Sequence, residues 1–200
     1  MEAIKIVYID DSLDPVISKY LTDIKIDEFE IDSLDIKFST ELGYEGLIKN
    51  KNIETANIIL IDSRLFENRT PSNGRFTGEE IKTILRKYFP FIEVIVITQN
   101  DVNEGYNTIK KYSSNSLSSL EKGYEYYNET LLPLLKNAVR NVYEYRNIVK
   151  AMKENLSWDT VLVQKILNSL EGRAVYDELT KTDIDKVIDE FKKLQEKLND

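Results

Sequence analysis

Ile58-Ile59-Leu60-Ile61 is an unbroken aliphatic run that stops at a carboxylate, Asp62. The run from Ile4 to Ile9 stops in the same way at Asp10-Asp11, and the run from Phe91 to Ile97 stops at Thr98. Short β-branched runs that do not alternate with polar residues read as strands covered on both faces, which is the environment of a parallel sheet flanked by helices. A polar residue closing such a run emerges at the strand's carboxyl end, the edge where open α/β sheets bind their ligands. If the first two runs are neighbours, Asp10, Asp11 and Asp62 meet in one crevice. Three carboxylates so placed repel one another unless a cation intervenes, and a hard, oxygen-seeking ion such as Mg²⁺ suits them.

Between the runs lie helical patterns. Asp14-Pro15 starts a helix carrying Val16, Ile17, Tyr20, Leu21 and Ile24, with an acidic residue before a proline of the first turn. A weaker strand is expected at Ile36-Lys37-Phe38, and a short helix near Gly43 to Lys49. The polar stretch Glu67 to Thr77, with Pro71, Asn73 and Gly74, reads as an exposed loop before a helix from Gly78 to Tyr88. The stretch from Asp101 to Tyr112 allows a short polar helix, and Leu117 to Glu121 a fifth strand. From Tyr124 the chain turns helical, with Leu131, Leu134, Leu135, Val139, Val142 and Ile148 near a 3.6 period and Pro133 at or near the helix start. Two amphipathic stretches follow, one capped by Ser157 and one starting at Thr182. The fold class expected is α/β: an open parallel five-stranded sheet with helices on both faces, followed by an α-helical carboxyl-terminal extension.

Composition narrows the chemistry. The 200 residues, 42% hydrophobic, suffice for one ordinary domain and a small extension. With 27 Lys and Arg against 35 Asp and Glu, the net charge is −8, a poor match to nucleic acid or anionic lipid. There is no cysteine and no histidine, so disulfides, thiolate sites, most zinc sites and histidine acid-base work are excluded. No apolar stretch has the length of a membrane span or secretion signal, and a cytoplasmic location is expected.

The order of these residues resembles a response-regulator receiver domain. That family has an acidic pair after the first strand, an aspartate ending the third, a threonine ending the fourth and a lysine after the fifth, places filled by Asp10, Asp11, Asp62, Thr98 and Lys122. The resemblance covers roughly residues 1–146, as a receiver-like, flavodoxin-like domain, and leaves 147–200 as a helical extension for partner binding or dimerisation. It implies that Asp62 accepts a phosphoryl group from the phosphohistidine of a histidine kinase or phosphotransfer protein, or from a small phosphodonor. Mg²⁺ would be held by Asp10, Asp11, Asp62 and the backbone carbonyl of Arg64. Lys122 would pair with the phosphoryl oxygens and Thr98 would donate its hydroxyl to them, a movement that other parts of the molecule read.

The chain also departs from that pattern. The segment after Asp62 is longer than usual, Gln99 stands where a small residue is typical, Gly123 replaces the proline after Lys122, and Ser119 lies where an aromatic is common. Lys110 and Lys111 are read as too near Thr98 to replace Lys122, because a helix and a strand must fit between. The competing readings are a pseudo-receiver that signals by contact alone and a Mg²⁺-dependent phosphatase. The haloacid dehalogenase kind of phosphatase needs a second aspartate two residues after the first, where this chain has Ser12 and Arg64. The last stretch is crowded by Asp183, Asp185, Asp189 and Glu190, so no nucleic-acid output is expected.

Overall fold

In the computed structural model, residues 2–26, 28–39, 43–65, 77–100, 108–113, 119–154 and 160–170 are described. The aliphatic runs form strands β1 (Glu2–Asp10), β3 (Ile58–Asp62) and β4 (Glu93–Thr98), and β3 and β4 are buried along their whole length. β2 (Phe29–Lys37) and β5 (Thr108–Lys110) complete one sheet, in the order β2-β1-β3-β4-β5 with every pair parallel. This is the flavodoxin-like arrangement of a doubly wound sheet. Tyr8 pairs with Leu60 and Asp62 with Ile97, so the carboxyl ends of β1, β3 and β4 share an edge.

Alternation along the strands divides the core in two. Ile4, Ile6 and Tyr8 of β1, with Leu60, Ile97 and Ile109, pack toward helices α1 (Pro15–Asp23), α5 (Ser119–Thr130) and α6 (Leu132–Glu154). Val7, Ile9, Ile59, Ile61 and Val96 pack toward α2 (Gly43–Ile48), α3 (Lys51–Glu54) and α4 (Gly78–Tyr88). The helix starts follow local chemistry: Asp14 caps α1 by accepting from Val16 N at 2.8 Å, and Thr77 and Glu80 form a reciprocal capping box on α4.

Two sequence expectations are corrected, for the second and fifth strands. The second strand begins at Phe29, well before Ile36, because Glu30, Asp32, Asp35 and Lys37 point to solvent from an edge strand and dilute its apolar signal. The fifth strand is Thr108–Lys110, and residues 119–121 lie in α5; an edge strand this short has a single buried apolar residue, Ile109, and no hydrophobic run. Residue 146, where the helical extension is expected to begin, lies in α6, which continues to Glu154 and packs Val149 against Val163 and Leu167 of α7 (Thr160–Leu170). The Ser157 cap, the helix expected from Thr182 and most of the polar stretch Glu67 to Thr77 lie outside the described residues.

α6 is tied to the amino edge of the sheet. Arg146 donates to Ala3 O at 3.1 Å and to Asn57 Oδ1 at 3.2 Å, and Asn57 Oδ1 also accepts from Lys5 N at 2.9 Å. Glu93, at the start of β4, accepts from Asn141 and Tyr145 of α6, each at 3.3 Å, and from Arg86 of α4 at 3.1 Å. Among the described residues no helix is long and apolar enough to cross a membrane.

Candidate functional site

Parallel register brings Asp10 and Asp62 to the carboxyl edge on the same face of the sheet as Tyr8 and Leu60, because residues two apart on a strand share a face. Asp10 is 1% exposed and Asp62 is 5% exposed. Carboxylate oxygens of Asp10, Asp11 and Asp62 lie within 4.8 Å of one another. They line a pocket of about 250 Å³ together with Gln99, Lys111 and the exposed Arg64.

The buried charge is met by Lys111, not by the lysine expected from the resemblance. Lys111, 6% exposed, places its ammonium 2.7 Å from Asp10 Oδ2 and 2.6 Å from Asp62 Oδ1. Lys122, expected in this role, is an exposed residue of α5. The expectation failed because it placed the fifth strand at Leu117 to Glu121, whereas that strand is Thr108–Lys110. In the structure β5 pairs directly with β4 across the short segment 99–107, and Lys111 follows it immediately. Backbone contacts fix Lys111 in place: its N–H donates to Thr98 O at 2.6 Å, Tyr126 of α5 donates to Lys110 O at 2.8 Å, and Tyr127 accepts from Tyr112 N at 3.0 Å. Once β5 is placed, Lys111 lies two residues after Ile109 and so on the same face as the acids, but three residues give too little alternation to place the strand from sequence.

Each carboxylate is further oriented by nearby donors. Ser12 N donates to Asp10 Oδ1 at 3.0 Å and Arg64 N to Asp62 Oδ2 at 2.8 Å. The hydroxyl of Tyr8 donates to Asp10 Oδ2 and accepts from Asp14 N at 3.2 Å. Tyr8 was not singled out from sequence, although its two-residue spacing from Asp10 was the available clue. The turn after Asp62 closes on α4, where Gly78 N donates to Ser63 O at 3.0 Å; a Cβ on Gly78 would lie 2.8 Å from Ser63 Cα and 2.7 Å from Val96 Cγ1. Only glycine permits that approach, so the turn carrying Arg64 is held against the sheet.

The electrostatics are unequal. Burial pulls the Lys111 ammonium toward neutrality, but hydrogen bonds and charge from Asp10 and Asp62 outweigh it and hold its pKa above the ordinary lysine value. Burial, then the charges of Asp10 and Asp62, push Asp11 above the usual carboxylate range. Burial and the bond to Asp10 raise the Tyr8 phenol far above its ordinary value, so it stays a donor. Thr98 is buried at the end of β4, where its Oγ1 accepts from Asn100 N at 3.2 Å and its carbonyl holds Lys111. All-oxygen donors at this separation suit a hard divalent cation better than a soft one.

No family model matches the chain, and no curated protein matches it. Among solved structures, the RcsB response regulator of Salmonella typhimurium, described for its conformational dynamism in DNA interaction, aligns at 16% identity over 88% of this chain and 94% of its own, with a TM-score of 0.38. A complex of the two-component response regulator RcsB with DNA aligns at 15% identity over 86% of this chain and 94% of its own, with a TM-score of 0.34. At such values the likeness adds no argument about function, and the fold stands on its own strand order: a flavodoxin-like parallel sheet with helices on both faces and further helices at the carboxyl-terminal side.

Proposed function

We propose that this chain is a phosphoacceptor signal receiver in which Mg²⁺-dependent phosphorylation of Asp62 switches a protein-protein interaction. The observation that carries the reading is the meeting of buried Asp10 and Asp62, from separate strands, on one ammonium beside a solvent pocket. An oxygen of Asp62 forms the bond to phosphorus while the donor's bond to phosphorus breaks and its electron pair leaves with the donor. Such transfer needs positioning and charge neutralisation more than a protein base.

Asp10, Asp11, Asp62 and the Arg64 carbonyl would hold Mg²⁺, which when bound neutralises charge on the transferring group. Lys111, in place of Lys122, pairs with the phosphoryl oxygens, and Thr98 donates its hydroxyl to them. Because the chain has no histidine, a phosphohistidine donor is a histidine kinase or phosphotransfer protein. The carboxyl-terminal helices engage a protein partner or a second copy. The DNA complex belongs to RcsB; with a net charge of −8, no nucleic-acid partner is proposed for this chain.

Beryllofluoride with millimolar Mg²⁺ is the test. The wild type should bind it and Asp62→Asn should not, measured by calorimetry or fluorescence; no binding by either protein sinks the reading. Gln99 at the pocket favours one alternative, a pseudo-receiver acting by contact alone. Unchanged partner affinity in both Asp62→Asn and Asp62→Glu would select it.

A further inference from the structure

Among the described residues, the donors that meet the Asp10 carboxylate are not distributed evenly. Oδ1 accepts from Ser12 N at 3.0 Å, whereas Oδ2 accepts from both the Lys111 ammonium and the Tyr8 hydroxyl. A carboxylate oxygen has two in-plane lone pairs, so among the described residues these two donors fill Oδ2, and Oδ1 is the oxygen left for a cation or for the neighbouring Asp11 carboxyl. The tyrosine that imposes this has no freedom of its own. Its side chain is fully buried in the strand-and-helix core, and its oxygen is held from behind by Asp14 N, the residue that caps α1.

We infer that Tyr8 is a positioning residue of the pocket: its hydroxyl locks the rotation of Asp10, so that Oδ1 is the atom offered to a divalent cation. It also limits how completely Lys111 neutralises Asp10, because the two donors share one oxygen. Without the hydroxyl, Oδ2 is left, among the described residues, with Lys111 as its donor. The carboxylate then turns toward the ammonium, and an incoming cation competes with a tighter internal ion pair. Outer donors that orient metal-binding side chains change metal affinity by about 10- to 100-fold when removed. The inference rests on the reading of this pocket as a divalent-cation site and names a residue that reading does not require.

The test compares Mg²⁺ binding by the full-length wild type, Tyr8→Phe and Tyr20→Phe, with folding of each checked by circular dichroism and thermal melting. Tyr20 is a useful control because it is also buried and its hydroxyl donates to Asn128, away from the acids. Tyr8→Phe should weaken the Mg²⁺ dissociation constant about tenfold, while Tyr20→Phe leaves it within about twofold. A downfield, slowly exchanging hydroxyl proton should appear in the proton NMR spectrum of metal-free wild type and vanish in Tyr8→Phe. Unchanged or tighter Mg²⁺ binding in Tyr8→Phe overturns the role of Tyr8 and leaves the cation site standing, as does an equal loss in Tyr20→Phe. Failure of the wild type to bind Mg²⁺, with the hydroxyl signal present, overturns the cation reading itself and the role given to Tyr8 with it.

Discussion

At the amino edge of the sheet, buried Glu93 accepts from Arg86, Asn141 and Tyr145; at the carboxyl edge, buried Asp10 and Asp62 share the ammonium of Lys111. Burial is similar at the two ends, but the charge balance is not. Glu93 meets a guanidinium whose side chain is 48% exposed and two neutral donors from α6, so its charge is answered and the contact serves to hold a helix on the sheet. Asp10, Asp11 and Asp62 face the buried Lys111 ammonium beside an open pocket that the exposed Arg64 also lines, three acids to two cations. A buried carboxylate alone does not mark a site. Negative charge left over beside accessible space does, because it gives a cation somewhere favourable to bind.

The strongest way to break this comparison is to remove the ammonium. Lys111→Met leaves two buried carboxylates without their cation and should cost about 3 kcal/mol in urea denaturation without Mg²⁺, since orphaning a buried charge is expensive. Part of that loss should return on adding Mg²⁺, because a ligand bound only by the folded state stabilises it. Lys122→Met should stay within about 0.5 kcal/mol of wild type, as an exposed substitution. Equal effects from the two lysines would erase the distinction drawn between them.

A smaller effect is expected at the other end. Glu93→Gln keeps the shape but weakens hydrogen bonds to a charged acceptor, and should cost about 1–2 kcal/mol with Mg²⁺ affinity unchanged. A change in Mg²⁺ affinity would mean that the two edges are coupled through α6 or β4, and that the amino edge does more than anchor a helix.

The smallest effect concerns pH. The Asp11 carboxyl is held above its ordinary range, so between its unfolded pKa, about 4, and its raised folded one the native state binds the proton more tightly. Stability of the metal-free protein should therefore fall as pH rises through that window, and Asp11→Asn should flatten that part of the slope. Urea denaturation at successive pH values reads it directly. A slope unchanged by the substitution would show that Asp11 does not share in the excess charge of the carboxyl edge.

Much of the architecture was legible because it is written in neighbouring residues. Largely apolar runs announced β1, β3 and β4, their terminal polar residues announced the shared carboxyl edge, and Asp14-Pro15 announced the start of α1. Most of β2 is hidden in the sequence because charged residues interrupt the apolar ones of an edge strand. β5 was misplaced because three residues with one buried isoleucine carry almost no periodic signal. The error at the lysine followed from the error at β5, and both came from assuming a longer crossover than the chain uses.

Sequence by itself determined which residues form the central strands and that carboxylates end two of them, since burial pattern and helix capping depend on residues close together in the chain. Tertiary structure alone decided that Lys111 and not Lys122 reaches those carboxylates, that Tyr8 shares an oxygen of Asp10 with it, and that α6 closes the amino edge through Arg146, Asn141 and Tyr145. Those contacts join segments far apart in the chain. Their geometry is set by strand order and by the length of each crossover, which no local pattern of residues encodes.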